Sequence, residues 1–213
     1  MHNKGFTLVE LSIVLVIIGL LIGGILVGQS LIDAARTQAA VRQLNQYGVA
    51  ISTFKTKYKQ LPGDSKLFTP IGNNDRQIFY SESENVWPHL SAGVSLKGPS
   101  GNYTSLAAGY NKDNCPTLNL DQRKDFQNCL RIFYSNENAG FDNYAFYTYD
   151  DSNGSAYDIF KPTEVMALDQ KLDDGIPSTG KFFSRGCDAG NGYDTTITDY
   201  DCSMYFQLGL VAY

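Results

Sequence analysis

Few residues in this chain can carry covalent or metal chemistry. Cysteine occurs at 115, 129, 187 and 202, and histidine only at 2 and 89. No two cysteines stand in a C-x-x-C spacing, which argues against a zinc site. His89 follows bulky Trp87 and Pro88 and reads as a structural residue rather than a general base. No G-x-S-x-G, phosphate-binding glycine loop or H-E-x-x-H occurs, so the chain reads as having no enzymatic activity of its own. Acid is concentrated in Asp169–Asp174 and Asp188–Asp201. There Asp173, Asp174, Asp194, Asp199 and Asp201 offer oxygens for calcium, which takes about six to eight of them. Their spacing does not fit an EF-hand loop, and solvated turn acids are the competing reading. No other cofactor is implied.

One further carboxylate stands out by its surroundings. Glu10 is the single charge between Phe6 and Val27, a run that includes Leu8, Leu11, Ile13, Leu15, Ile17, Leu20 and Leu26. At about 1.5 Å per helical residue, some 20 residues cross a hydrocarbon core of about 30 Å. A charge inside such a span costs about 2.5–3.5 kcal/mol on insertion scales, so it marks a functional candidate.

The elements that position these groups follow from the pattern of apolar residues. From Gln29 onward the run becomes amphipathic: Leu31, Ala35, Ala39, Val41, Leu44, Tyr47, Ile51, Phe54 and Tyr58 recur mostly at helical spacings. No proline interrupts Phe6–Tyr58, so one helix of about 80 Å is expected, with Gly23, Gly24 and Gly28 as its weak points. Leu61-Pro62-Gly63-Asp64 ends it by removing an amide donor and offering a turn. The expected division is residues 1–5 as a leader, 6–28 as the membrane half of the helix, 29–61 as its amphipathic half, and 62–213 as a globular head.

Within the head, Ser83–Leu90 is expected to form a short helix that buries Trp87 and Leu90. Gly98–Asn114 is expected to be loop. Asp121–Phe133 has a helical spacing of Phe126, Leu130 and Phe133, and Thr163–Leu172 suggests a helix capped by Thr163. Asn143–Tyr149, Lys181–Ser184 and Ser203–Val211 read as strands. The sum is an α+β class: a long N-terminal spine with a small antiparallel sheet in the head.

Four cysteines behind a membrane anchor suggest an oxidising compartment. Three connectivities are open. The local pairs Cys115–Cys129 and Cys187–Cys202 close loops of about 15 residues, worth about 3 kcal/mol each in the chain-entropy model; four free thiols are the alternative. A net charge of −5, with 17 basic residues spread along the chain, leaves no footprint for duplex nucleic acid.

The segment Gly5-Phe6-Thr7-Leu8-Val9-Glu10-Leu11 closely resembles the processing motif of type IV pilins and of the pseudopilins of type II secretion systems. The resemblance implies that Met1–Gly5 is a leader cut after Gly5 by the prepilin peptidase, and that Phe6 becomes an N-methylated terminus. It also implies that Glu10 is the family's assembly glutamate. The expected partners are further copies of the chain in a helical filament, other pilins or pseudopilins, and an inner-membrane assembly platform. Lys4 before the span places the N-terminus in the cytoplasm and the head in the periplasm of a bacterial cell. Many type IV pilins carry a proline in the apolar stretch; its absence here, and the Tyr58-x-x-Leu61-Pro62-Gly63-Asp64 sequence, lean towards a pseudopilin. A minor or tip subunit, or an anchored periplasmic adhesive or binding protein, is the alternative.

Overall fold

The computed structural model describes residues 7–79, 81–98, 101–102, 116–118, 120, 128–133, 145–150, 160–190, 192–199 and 202–207. One helix dominates them. Helix α1 runs unbroken through Leu8–Tyr58, 51 residues with no proline. Thr7 caps its start: the hydroxyl accepts from the Glu10 amide at 3.3 Å, and the Glu10 carboxylate accepts the Thr7 amide at 2.8 Å. This reciprocal box satisfies two donors that a helix start otherwise leaves open. The other end closes on Lys59 in the left-handed region (φ 56°), whose amide donates to the Lys55 carbonyl at 2.9 Å. Lys55 and Lys57 in the last turn oppose the negative end of the helix dipole.

The two halves of α1 meet different surroundings. From Leu8 to Ile32 its large apolar residues are exposed. From Thr37 onward a stripe of Thr37, Ala40, Leu44, Tyr47, Ala50, Ile51 and Phe54 is buried, stepping by three and four as one face of a helix requires. The expected Leu44, Tyr47, Ile51 and Phe54 lie in that stripe. Leu31 and Ala35 do not, because the packed surface begins only at Thr37.

Against this stripe lie helix α2 (Val86–Val94) and helix α3 (Pro162–Leu172). Trp87 is fully buried, meets Tyr47 edge-on at 5.0 Å, and donates its indole N–H to the Leu130 carbonyl at 2.8 Å. Strands β1 (Lys97–Gly98) and β2 (Gly101–Asn102) form a small hairpin. The main sheet is antiparallel with strand order β3-β4-β8-β5, from β3 (Asn128–Phe133), β4 (Ala145–Asp150), β5 (Phe182–Arg185) and β8 (Ser203–Gln207). The short β6 (Asp188–Ala189) and β7 (Gly192–Tyr193) pair beside it. The fold is therefore α+β, as expected.

Two expectations need correction. Asn128–Phe133 is a strand, not the end of a helix: Leu130, Arg131 and Ile132 are all buried, and Cys129 pairs with Tyr149 across the ladder. A distant partner strand overrode a local helical spacing; residues 121–127 lie outside the described set. Helix α3 starts at Pro162 and is capped by Lys161 rather than Thr163; proline favours the first helical position because it has no amide to leave unpaired. Glu164 then accepts the Lys161 amide at 3.0 Å. The last strand is described only for Ser203–Gln207 of the expected Ser203–Val211. The expected loop 98–114 and the start of the expected strand at Asn143 likewise fall mostly outside the described residues.

Candidate functional site

The N-terminal turn of α1 is the first place where chemistry and position coincide. Thr7 is extended (φ −81°, ψ 154°), so its side chain folds back over the helix start. Its hydroxyl also lies 2.9 Å from Glu10 Oε2, so that one carboxylate oxygen serves both the amide and the hydroxyl of Thr7. Glu10 thus has local partners within a single turn, which lowers the cost of carrying a carboxylate in an apolar stretch. Gly5 and Phe6, the expected cleavage junction, lie outside the described residues. Around and below Glu10, Leu8 is 87% exposed and Leu20 72%. A soluble monomer rarely leaves an apolar patch of more than a few hundred Å² uncovered. Among the described residues, α1 is the one helix long and apolar enough to cross a membrane, with none of its apolar window buried. By length and composition this surface fits an apolar surrounding such as a membrane.

In the head, two carboxylates organise the turn that follows α1. Gly63 has φ +93°, and a Cβ there would meet Val86 Cγ2 at 2.8 Å and the Glu82 carbonyl oxygen at 2.9 Å, so only glycine fits. Asp64 is fully buried and accepts from the amides of Asp75 (3.1 Å) and Arg76 (2.8 Å). Glu82 accepts from the amides of Asn73 and Phe79. Burial pushes both carboxyls above their ordinary range, against the pull of those amides. His89 completes the pin. Its Nδ1 accepts the Gly63 amide at 2.9 Å and its Nε2 stands 2.6 Å from the Pro70 carbonyl, which assigns the proton to Nε2. Burial holds this imidazole below its ordinary pKa, the Pro70 carbonyl opposing. The histidine is structural, as its sequence context suggested.

The acidic stretches separate in space. Asp173 accepts from the Lys181 and Phe182 amides, and Asp174 from the Ile176 amide and the Thr179 hydroxyl. Asp194 is occupied by its own turn, accepting from Thr196. Asp199 is exposed, and Asp201 lies outside the described residues. The structure groups Asp173 and Asp174 not with these but with Asp169 on α3, one oxygen of each lying within 4.8 Å of the others. Sequence reasoning passed over Asp169, although its place four residues after Val165 puts it on the buried face of α3. That carboxyl is pushed up to about 6 by burial, with Asp174 and Asp173 adding to the shift; the Tyr193 hydroxyl and the Gly175 amide oppose it. Asp64, Asp75 and Glu82 form the other such group. Cys187 and Cys202 are joined in a disulfide, Cα to Cα 5.0 Å, as one of the open pairings anticipated. Cys115 lies outside the described residues, and with it the other pairing.

Fold and N-terminal turn together define a class: an α+β head carried on a long helix whose leading half is built for an apolar surrounding. Residues 1–26 match the family model described as the prokaryotic N-terminal methylation motif. The chain carries that motif, the hallmark of type IV pilins and pseudopilins. It covers the expected leader, residues 1–5, the Thr7–Glu10 cap and most of the exposed apolar half. No curated protein and no solved structure matches the chain.

Proposed function

We propose that this protein is a structural subunit of a type IV pilus-like filament or type II secretion pseudopilus. It is made as a precursor, cut between Gly5 and Phe6 by the prepilin peptidase, and N-methylated on Phe6. The observation that carries this reading is the coincidence of the methylation motif with an uncovered apolar half-helix. Before assembly that half lies in the bacterial inner membrane, with Lys4 inside and the head in the periplasm, where a disulfide such as Cys187–Cys202 is stable. After assembly the same surface is covered by the helices of neighbouring subunits and forms the filament core. Other pilins or pseudopilins and an inner-membrane assembly platform are the partners.

Glu10 has a place in both states. In the precursor, Thr7 serves its carboxylate within the turn. In the filament, the carboxylate meets the Phe6 amine of a neighbour and sets the axial register. Removing one side of a buried ion pair costs about 3–5 kcal/mol. Mass spectrometry of the mature protein tests the processing: the expected first residue is N-methyl-Phe6, and an intact Met1 overturns it. Glu10→Val tests the assembly role, with processing retained and filaments lost in electron micrographs. Normal filaments from that variant refute it.

A further inference from the structure

We infer that the cavity between the start of α3 and the first turn of α1 beyond its membrane half binds the headgroup of an ethanolamine phospholipid. The inference rests on the proposed orientation, with α1 crossing the inner membrane and the head on its periplasmic side. The cavity measures about 290 Å³ and is lined by Asp33, Arg36 and Thr37 of α1 and by Lys161, Thr163 and Glu164 at the start of α3.

Its height along α1 is the first reason. Asp33 is the first charge after Glu10, and the exposed apolar residues of the leading half end at Leu31 and Ile32. A bilayer of about 40–45 Å with a core of about 30 Å leaves about 5–8 Å of headgroup on each side, which about four or five helical residues cross. With Phe6–Val27 in the core, residues 28–32 cross that layer, and Asp33 and Arg36 stand at its outer edge. Helical side chains tilt towards the N-terminus, here towards the bilayer, so both lean back to the phosphate level.

The lining selects the headgroup. It holds two cations, Arg36 and Lys161, and two acids, Asp33 and Glu164. Arg36 donates to Asp33 at 3.3 Å, in a pair whose side chains are 41% and 64% exposed. Such a pair is worth little in water and engages one arm of the guanidinium fork. A lipid phosphate fits beside it, served by Arg36, the Lys161 ammonium and the Thr163 hydroxyl. A primary ammonium on the same headgroup donates to Asp33 and Glu164. Glu164 gives Oε2 to the Lys161 amide at 3.0 Å, which fixes its carboxylate at the cavity wall. A glycerol headgroup has no ammonium and brings a further negative charge to the two acids. A choline headgroup has no N–H to donate. The mixed lining therefore favours ethanolamine over both.

The test uses the full-length protein in nanodiscs of equal dioleoyl phosphatidylethanolamine, phosphatidylglycerol and phosphatidylcholine. After release into mild detergent, retained lipids are counted by native mass spectrometry. The ethanolamine lipid is expected to be retained about fivefold or more over each of the others, as one charge-assisted hydrogen bond in a half-wet site supplies. Arg36→Gln with Lys161→Gln is expected to erase that retention. Asp33→Asn with Glu164→Gln is expected to turn the preference towards phosphatidylglycerol, since glutamine at 164 keeps the α3 cap. Lys66→Gln, outside the cavity, is expected to change nothing. Equal retention of the three lipids by the wild type, or a preference that neither double variant moves, overturns the site and leaves the membrane reading standing. Protein that does not enter nanodiscs overturns that reading and the inference with it. Soluble phosphoethanolamine that displaces the lipid at equal concentration overturns lipid binding in favour of a free solute. If a double variant melts early, Arg36→Gln alone decides.

Discussion

The two halves of α1 share one backbone geometry and almost nothing else. From Leu8 to Ile32 the helix shows leucine, isoleucine and valine on every face, all exposed. From Thr37 to Phe54 it shows one buried stripe, with mostly polar residues elsewhere and Val49 exposed. On the proposed reading, the first half is uniform because lipid or a bundle of like helices surrounds it on all sides. The second is amphipathic because only one side meets the head. The contrast separates two kinds of energy. In the second half, apolar side chains of the stripe are buried and stabilise the fold; in the first, they are exposed and add nothing to the packing of the head.

Mutations across the boundary sharpen that contrast. The largest loss is expected from Phe54→Ala. Phe54 is fully buried against Tyr58, Phe68 and His89, and removing such a ring costs about 3–5 kcal/mol. Chemical denaturation followed by Trp87 fluorescence measures it, with N-terminal processing unaffected. Next comes Asp64→Ala, which strips the Asp75 and Arg76 amides of their acceptor at a cost of about 1–3 kcal/mol. A melting curve indistinguishable from wild type would break the claim that this carboxylate organises the turn.

Acid gives a smaller, graded effect. The His89 imidazole is held neutral in the fold, below its ordinary pKa of about 6.5. As pH falls below about 6.5 the unfolded chain takes a proton that the native imidazole refuses, so stability declines through that window. His89→Gln is expected to flatten this part of the pH–stability curve. Thr7→Val removes the helix cap at about 1 kcal/mol, confined to the first turn. Amide exchange at Glu10 and Leu11 rises while the melt of the head stays put. Smallest of all is Leu20→Ala: at 72% exposure it is expected to move head stability by no more than about 0.5 kcal/mol. A drop comparable to that of Phe54→Ala would mean that the leading half folds against the head.

Legibility in the sequence follows the same division. The long helix and its length were readable because propensity, proline and periodicity are local signals; its close on left-handed Lys59, ahead of the expected stop at Leu61-Pro62-Gly63-Asp64, was not. So was Glu10, since a lone carboxylate in twenty apolar residues needs no partner to be noticed. The pairing of Cys187 with Cys202 was one of several open choices. The strand at Asn128–Phe133 was misread, because its partner lies at Ala145–Asp150 and pairing across a sheet leaves little trace in either segment alone. Asp169 was missed for a related reason. Its position on α3 was readable, but not that Asp173 and Asp174 curl back to it while Asp194 is held by its own turn.

By itself, then, the sequence determined the parts of this protein governed by neighbours within a turn or by bulk partition: the capped helix, its apolar half, the glutamate within it and the methylation motif around it. Tertiary structure alone decided which residues of the second half are buried, where the sheet closes, and which acids meet. Those outcomes depend on contacts between segments far apart in the chain, where desolvation and packing act on groups that no local pattern brings together.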